Sequence, residues 1–320
     1  MNSARTYTVG IAGTTQYTAL CATELFSQPE FTLVWALTPP PAPVGRKKML
    51  TPNPLHSWAE QHHLPVHTVE KKLSPDLEQK LLIRPDFLLV VDFGYRVPQW
   101  LLDFPKVAPI NIHPSLLPRW RGSSPGQFCL LYGEKESAVT MMIMGAGLDT
   151  GPILRQDKFV IDSTWSQSAY YQFSFNLASQ QLAQTLMKLA NGTLSPTPQL
   201  EISPTPLARR LKKEDGYIDW QTLEEVMKNS LSDANIQYGS SQLFADVVAT
   251  THQNWADVIV HACHGLAGWP GVWTILPMLS GSERVKIIEA KVTTDGKIEL
   301  VKVQFAGEKP KFWKDVPYSF

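Results

Sequence analysis

The chain has 320 residues, 43% hydrophobic and 18% charged, enough for one large or two ordinary globular domains. Its 29 basic residues balance its 29 acidic ones, so any nucleic-acid binding would have to come from local patches rather than net charge. No apolar run reaches transmembrane length and the opening MNSARTYTVG lacks a signal-peptide core, so a soluble cytoplasmic protein is expected.

In chain order, Tyr7–Ala12 is a compact β-type run, and the stretch after it carries Leu20 and Leu25 on one helical face. Phe31–Leu37 reads as the next strand. Pro54–Gln61 reads as a helix with proline in its first turn. Phe87–Val91 is apolar on both sides, as a strand buried in a parallel sheet must be, and Ile110–Ile112 and Val139–Met144 share that character. Strands alternating with helices at this spacing predict βαβ units with right-handed crossovers. Trp165–Leu189 is a long amphipathic helical pattern that stops at Asn191-Gly192.

Residues 194–206, LSPTPQLEISPTP, hold four prolines and read as an extended linker. Beyond it, Glu283–Val292 and Lys297–Phe305 read as strands joined by a turn at Asp295-Gly296. The fold class expected is α/β: a Rossmann-like, doubly wound, mostly parallel sheet in residues 1–193, then the linker, then a smaller β-rich, OB-like barrel in 207–320. Residues 221–254 have weak patterning and read as an insertion in that second domain. Cys21, Cys129 and Cys263 are odd in number and widely separated, and fit buried thiols better than a disulfide framework or a zinc site.

Open α/β sheets bind ligands beyond the carboxyl ends of their strands. There, INIHPSLLPRWRGSSP (110–125) leaves a strand and enters a proline-bounded loop. Asn111 and His113 are two apart and project from one face of an extended chain. The Asn111 amide can donate to an oxyanion, and His113 can polarise the same oxygen or exchange a proton. A third group should orient the imidazole or take up an amine proton. Asp149, in GAGLDTGPIL, is the natural candidate, with Gly145, Gly147 and Gly151 giving its loop backbone freedom. Taken singly, each residue has a plainer use: a turn cap, a core histidine, an Asx turn. Gly10 and Gly13 follow a strand, but no G-x-G-x-x-G is present to hold a dinucleotide. No His, Cys and carboxylate cluster has metal-ligand spacing, so no metal is expected.

Taken together, these strings resemble the 10-formyltetrahydrofolate-dependent formyltransferase family. Its signature is Asn-x-His followed by Ser-Leu-Leu-Pro and Arg-Gly, with Leu-Asp-Thr-Gly further on, and NIHPSLLPRWRGSSP and LDTGPIL match both blocks. The resemblance implies Asn111, His113 and Asp149 as catalytic residues and 10-formyltetrahydrofolate as formyl donor. It also implies that Ser115, Leu116, Leu117 and Pro118 pack along the folate, and that the segment holding Val91, Phe93, Gly94 and Tyr95 meets its pterin. Other stretches are similar to the branch of the family that formylates methionyl-tRNA, the initiator, in support of translation initiation. These are TPPPAPVGRKKML (38–50), LARRLKKEDGYIDW (207–220), Trp269-Pro270-Gly271 and VKVQFAGEKP (301–310). That likeness implies tRNA contacts from Arg46, Lys47, Lys48, Arg209, Arg210, Lys212 and Lys213, with Lys309, Lys311 and Lys314 as a further basic cluster. A monomer without membrane contact is expected. Departures stand at Gly13-Thr14-Thr15-Gln16-Tyr17-Thr18, where the family has Gly-Thr-Pro-x-Phe-Ala near the acceptor's amino-acid end, and in the remodelled 221–254. They leave a nucleotide-linked amino sugar as an alternative acceptor and folate hydrolysis as an alternative reaction.

Overall fold

The computed structural model describes residues 5–45, 47–229, 239–278 and 281–316. The chain begins with β1 (Tyr7–Gly13), α1 (Gln16–Phe26) and β2 (Phe31–Thr38), followed by a small hairpin of β3 (Ala42–Val44) and β4 (Met49–Thr51). It continues through α2 (Pro54–Gln61), β5 (Val66–Thr68), α3 (Asp76–Lys80), β6 (Phe87–Val91), α4 (Gln99–Leu102) and β7 (Ala108–His113). After these come α5 (Pro125–Leu131), β8 (Glu136–Ile143), β9 (Ile153–Val160) and the long α6 (Gln167–Ala190). The last part holds α7 (Trp220–Lys228), α8 (Gln242–Thr251), α9 (Trp255–Gly265), β10 (Val272–Met278), β11 (Gly281–Val292), β12 (Ile298–Phe305) and β13 (Lys311–Phe312).

Seven strands form the main sheet in the order β5-β2-β1-β6-β7-β8-β9. The pairs β1–β2, β2–β5, β1–β6 and β6–β7 are parallel, and β7–β8 is antiparallel. The sheet is therefore Rossmann-like and doubly wound, with strand order reversing between β1 and β6. Every residue of β6 is buried, which explains its unbroken FLLVV. Trp35, Leu37, Leu88 and Val90 on one side of these strands meet Leu73, Leu77, Leu81 and Leu101 in a continuous core cluster. Close packing also accounts for two early glycines. A Cβ on Gly10 would lie 2.2 Å from the Trp35 ring, and one on Gly13 would lie 2.3 Å from the Val91 carbonyl.

Two compact units emerge, comprising the described residues of Met1–Arg121, Ala138–Phe159 and Gln172–Pro206, and of Gly122–Ser137, Val160–Tyr171 and Leu207–Phe320. Segment 194–206 stays with the first. Helix α5 goes with the second because it packs on α9, where a Cβ on Gly265 would come 2.7 Å from the Gln127 carbonyl. The β-rich part of the second unit, expected as a barrel, is a four-stranded antiparallel sheet in the order β10-β11-β12-β13. Strands β11 and β12 pair directly, Val292 opposite Ile298, across the Asp295-Gly296 turn. Of the weakly patterned stretch, Trp220–Lys228 and Gln242–Thr251 are helical, and 230–238 lies outside the described residues. The α7 helix is capped by Asp219, whose side chain accepts from the Gln221 amide.

The three cysteines are buried free thiols. Burial pushes the thiols of Cys21 and Cys263 up to about 12, so neither offers a reactive thiolate near neutral pH. Among the described residues, no helix is long and apolar enough to cross a membrane.

Candidate active site

Asn111 and His113 sit at the carboxyl end of β7, where Val90 pairs with Asn111 and Val91 with Ile112. This is one strand from the β1–β6 reversal, the place where open sheets leave a crevice. Asn111 is half-buried, and His113 is 4% exposed. The imidazole lies between two fixed groups. Its Nε2 is 3.0 Å from the Trp120 carbonyl oxygen, which can only accept, so the proton resides on Nε2. Its Nδ1 lies 3.8 Å from Asp149 Oδ2. That distance is too long for a direct hydrogen bond and short enough for strong charge coupling once Nδ1 is protonated. Asn111, His113 and Asp149 therefore combine an amide donor, an oriented imidazole and a partly shielded carboxylate.

The loop after β7 is held by an internal chain of hydrogen bonds. Ser115 Oγ donates to Arg119 O at 2.7 Å, and Thr140 Oγ1 donates to Ser115 O at 2.7 Å. The Gln156 amide donates to Leu117 O at 2.8 Å and to Thr140 Oγ1 at 3.0 Å. Ser115 and Leu117 are buried, whereas Leu116 and Pro118 are half-buried and present the accessible edge of the loop.

Asp149 adopts a left-handed backbone with φ 52°. Asp is among the few residues that visit this region. The flanking glycines turn out to have different uses. A Cβ on Gly151 would lie 1.8 Å from the Ile143 carbonyl oxygen, so the loop backbone requires glycine there, whereas one on Gly147 would lie 2.2 Å from Thr150 Oγ1, a side-chain atom that can rotate away. Only at Gly145 would a Cβ meet nothing within 4 Å. Gly151→Ala is accordingly expected to displace the Asp149 turn and to cost about 1–3 kcal/mol. Denaturant unfolding checks this, and an unchanged midpoint would show that the loop can open at no cost.

At the carboxyl end of the neighbouring strand, Asp92 turns β6 into its loop with φ 46°. Phe93 and Tyr95 are half-buried against the core cluster with ring centroids 5.1 Å apart, and Tyr95 Oη donates to Val69 O at 2.8 Å. A Cβ on Gly94 would meet nothing. The result is open backbone at Gly94 between two aromatics packed on the core. In the departing segment 13–18, Tyr17 is buried and stacks on Phe175 at 4.7 Å, and Thr18 Oγ1 donates to Val91 O at 2.7 Å.

The basic residues divide by how they are used. Lys47 and Lys48 are exposed at the tip of the β3–β4 hairpin, beside exposed Val44, Met49 and Leu50, and Arg46 lies outside the described residues. Arg209 makes a bidentate pair with Asp215 at 2.7 and 2.8 Å. Burial pushes the Asp215 carboxyl upward, but Arg209 and the Lys212 amide outweigh it and hold the group below its ordinary value. Arg210, Lys212 and Lys213 are exposed. Lys213 Nζ lies 5.8 Å from the Trp273 ring centroid. Lys311 pairs with Glu308 at 2.9 Å, and Lys314 lies over Phe312. Among the described residues, no group of three or more His, Cys, Asp or Glu is arranged to hold a metal ion.

Fold and site together define an α/β protein with an amide, an imidazole and a carboxylate at its strand ends. The formyl transferase family profile matches residues 8–186, more than half of the chain, and the chain belongs to that family. A methionyl-tRNA formyltransferase of Citrifermentans bemidjiense is 38% identical over 200 residues, 62% of this chain and 63% of the relative. The chain thus spans a little under two thirds of that protein's length. Among solved structures, methionyl-tRNA formyltransferase from Clostridium thermocellum superposes with a TM-score of 0.54 at 15% identity, covering 94% of this chain and 99% of the other. An N-formyltransferase from Helicobacter canadensis, in complex with folinic acid and dTDP-3-aminofucose, gives 0.55 at 16% identity over 89% and 87%. At these identities the two structures share the fold.

Sequence reading brought His113 and Asp149 to one centre, where they lie together. It missed Trp120, whose contribution is a backbone carbonyl, and it missed Arg121, Gln156, Gln199 and Thr205. An isolated Gln or Thr in a proline-rich stretch carries no pattern that marks it, because its partners are remote in sequence.

Proposed function

We propose that this protein transfers a formyl group from 10-formyltetrahydrofolate to the amino group of methionyl-tRNA. The observation that carries the reading is the His113 imidazole, fixed by the Trp120 carbonyl with Nδ1 facing Asp149, within a motif that matches the family. The named function of the Citrifermentans relative supports the acceptor.

The folate supplies the formyl group and a nitrogen leaving group. Leu116, Pro118 and the segment that runs from Val91 at the end of β6 through Phe93, Gly94 and Tyr95 would hold it. As the acceptor amine adds to the formyl carbon, negative charge develops on the formyl oxygen, and Asn111 and protonated His113 would stabilise that charge. Asp149 would balance the imidazolium and accept the proton released by the attacking amine, directly or through water. When the bond from carbon to the folate nitrogen breaks, that nitrogen takes up a proton, and the product carries the formyl group as an amide.

The acceptor's phosphates would meet Arg46 and the hairpin residues Lys47 and Lys48, and Arg210, Lys212 and Lys213 in the segment leading to α7. Arg209 contributes mainly by shaping that segment through Asp215. Neutralising Arg46, Lys47 and Lys48 together is expected to weaken tRNA binding and to reduce the slope of log K against log salt concentration by roughly 0.9 per lost phosphate contact, the value for a duplex. Folate affinity should stay constant. An unchanged salt slope would return the hairpin lysines to the role of a solvated face.

The deciding assay incubates the protein with 10-formyltetrahydrofolate and either charged methionyl-tRNA or a nucleotide-linked amino sugar. Formylmethionyl-tRNA is the expected product. Formylation of the sugar alone, or release of formate without an acceptor, would replace the proposed acceptor with one of the alternatives.

A further inference from the structure

Segment 194–206 has the composition of a spacer, yet its polar side chains return to the catalytic loops. Thr197 pairs with Ile153 through both backbone bonds, 2.8 and 2.7 Å, which fixes the segment alongside β9. Two residues on, Gln199 Nε2 donates to Asp149 O at 2.9 Å and to Gly151 O at 2.7 Å. Its Oε1 accepts from Arg121 Nη2 at 2.9 Å and, less closely, from Arg121 Nε at 3.3 Å. Buried Arg121 also donates to Leu200 O and Glu201 O, at 2.8 and 3.0 Å. Further along, Thr205 Oγ1 accepts the Trp120 amide at 2.7 Å, and the carbonyl of Trp120 is the group that receives the His113 Nε2 proton.

We infer that Gln199 and Thr205 are positioning residues: Gln199, locked by Arg121, holds the Asp149 turn, and Thr205 holds the Trp120 peptide that orients His113. The inference rests on the formyl-transfer reading for its kinetic consequence.

The physical need is clear at Asp149. A non-glycine residue in the left-handed region costs on the order of 1 kcal/mol and persists only where its surroundings hold it. Relaxation of that turn would swing the carboxylate away from Nδ1. Gln199 bonds the two carbonyls that bracket Thr150, just after the left-handed residue. A carboxamide suits the position because it offers two donors to the carbonyls and an acceptor to Arg121. A carboxylate could satisfy only Arg121 and would set acceptor against acceptor at Asp149 O and Gly151 O. Trp120 poses the same problem, with φ 58°, and Thr205 meets it by binding the amide of the peptide unit leading into it.

The test uses the full chain with Gln199→Glu and Thr205→Val, both close in shape to the native side chains. Each is expected to lower kcat by roughly tenfold to a hundredfold, with KM for donor and acceptor within about twofold. Gln199→Glu should cost nothing further in an Asp149→Ala background, and Thr205→Val nothing further in a His113→Ala background, because each acts through the group removed. Equal losses in both backgrounds would overturn the inference, since they would mark a general loss of packing. Hydrogen exchange over residues 145–151 provides a readout independent of activity. Faster exchange there in Gln199→Glu, with the rest of the chain unaltered, supports the inference, and unaltered exchange overturns it. Should the wild type formylate neither acceptor, the formyl-transfer reading fails by itself, and the exchange measurement still decides whether Gln199 holds the turn.

Discussion

His113→Ala is expected to lower formyl transfer by about a hundredfold or more while leaving the fold and folate affinity close to wild type. Loss of one preorganised donor to a developing oxyanion typically costs that much in turnover. The imidazole also anchors little else: its partners are the Trp120 carbonyl and the Asp149 carboxylate. Removing it takes away one hydrogen bond to that carbonyl, a cost of about 1–3 kcal/mol at most if no water replaces the bond. Single-turnover rates with saturating folate, beside circular dichroism and folate titration, separate the chemical effect from the structural one. A folded variant with near-normal turnover would remove His113 from the mechanism.

Asp149→Asn should reduce turnover by a comparable factor, about a hundredfold or more, for a different reason. Asn enters the left-handed region as readily as Asp, so the turn at φ 52° survives, as do the bonds from Gln199 to the Asp149 and Gly151 carbonyls. What disappears is the negative charge that balances the imidazolium and the base that can receive the amine's proton. Thermal stability is expected to be unchanged, and the loss should appear in kcat with KM preserved. Turnover near the wild-type value would show that Asp149 acts through its geometry and that its charge is dispensable.

Much of the fold was legible in the sequence wherever local pattern and burial coincide. The apolar run Phe87–Val91 is β6 itself, and Pro54–Gln61 is α2 with its proline in the first turn. The helical pattern from Trp165 became α6, ending at Ala190 before a Gly192 with φ 69°. Boundaries drifted by a few residues at β7 and β8, because strand ends are set by cross-strand partners rather than by the strand's own residues. The weakly patterned stretch after Gln221 could not be assigned, since α7 and α8 are short and their burial depends on the fold around them.

At the site, the sequence by itself singled out the side chains proposed to do the chemistry. Asn111, His113 and Asp149 carry functional groups whose types and spacing point to carbonyl chemistry, and their strings match one family. Only the tertiary structure decided how those groups are held. Whether Nε2 or Nδ1 of His113 faces Asp149 depends on a carbonyl seven residues away, and that peptide is in turn fixed by Thr205, 85 positions along the chain. The Asp149 turn is likewise held by Gln199, 50 positions on, in a segment whose prolines read only as a spacer. Hydrogen bonds of this kind join remote residues through main-chain atoms, which are the same at every position and leave no mark in the sequence.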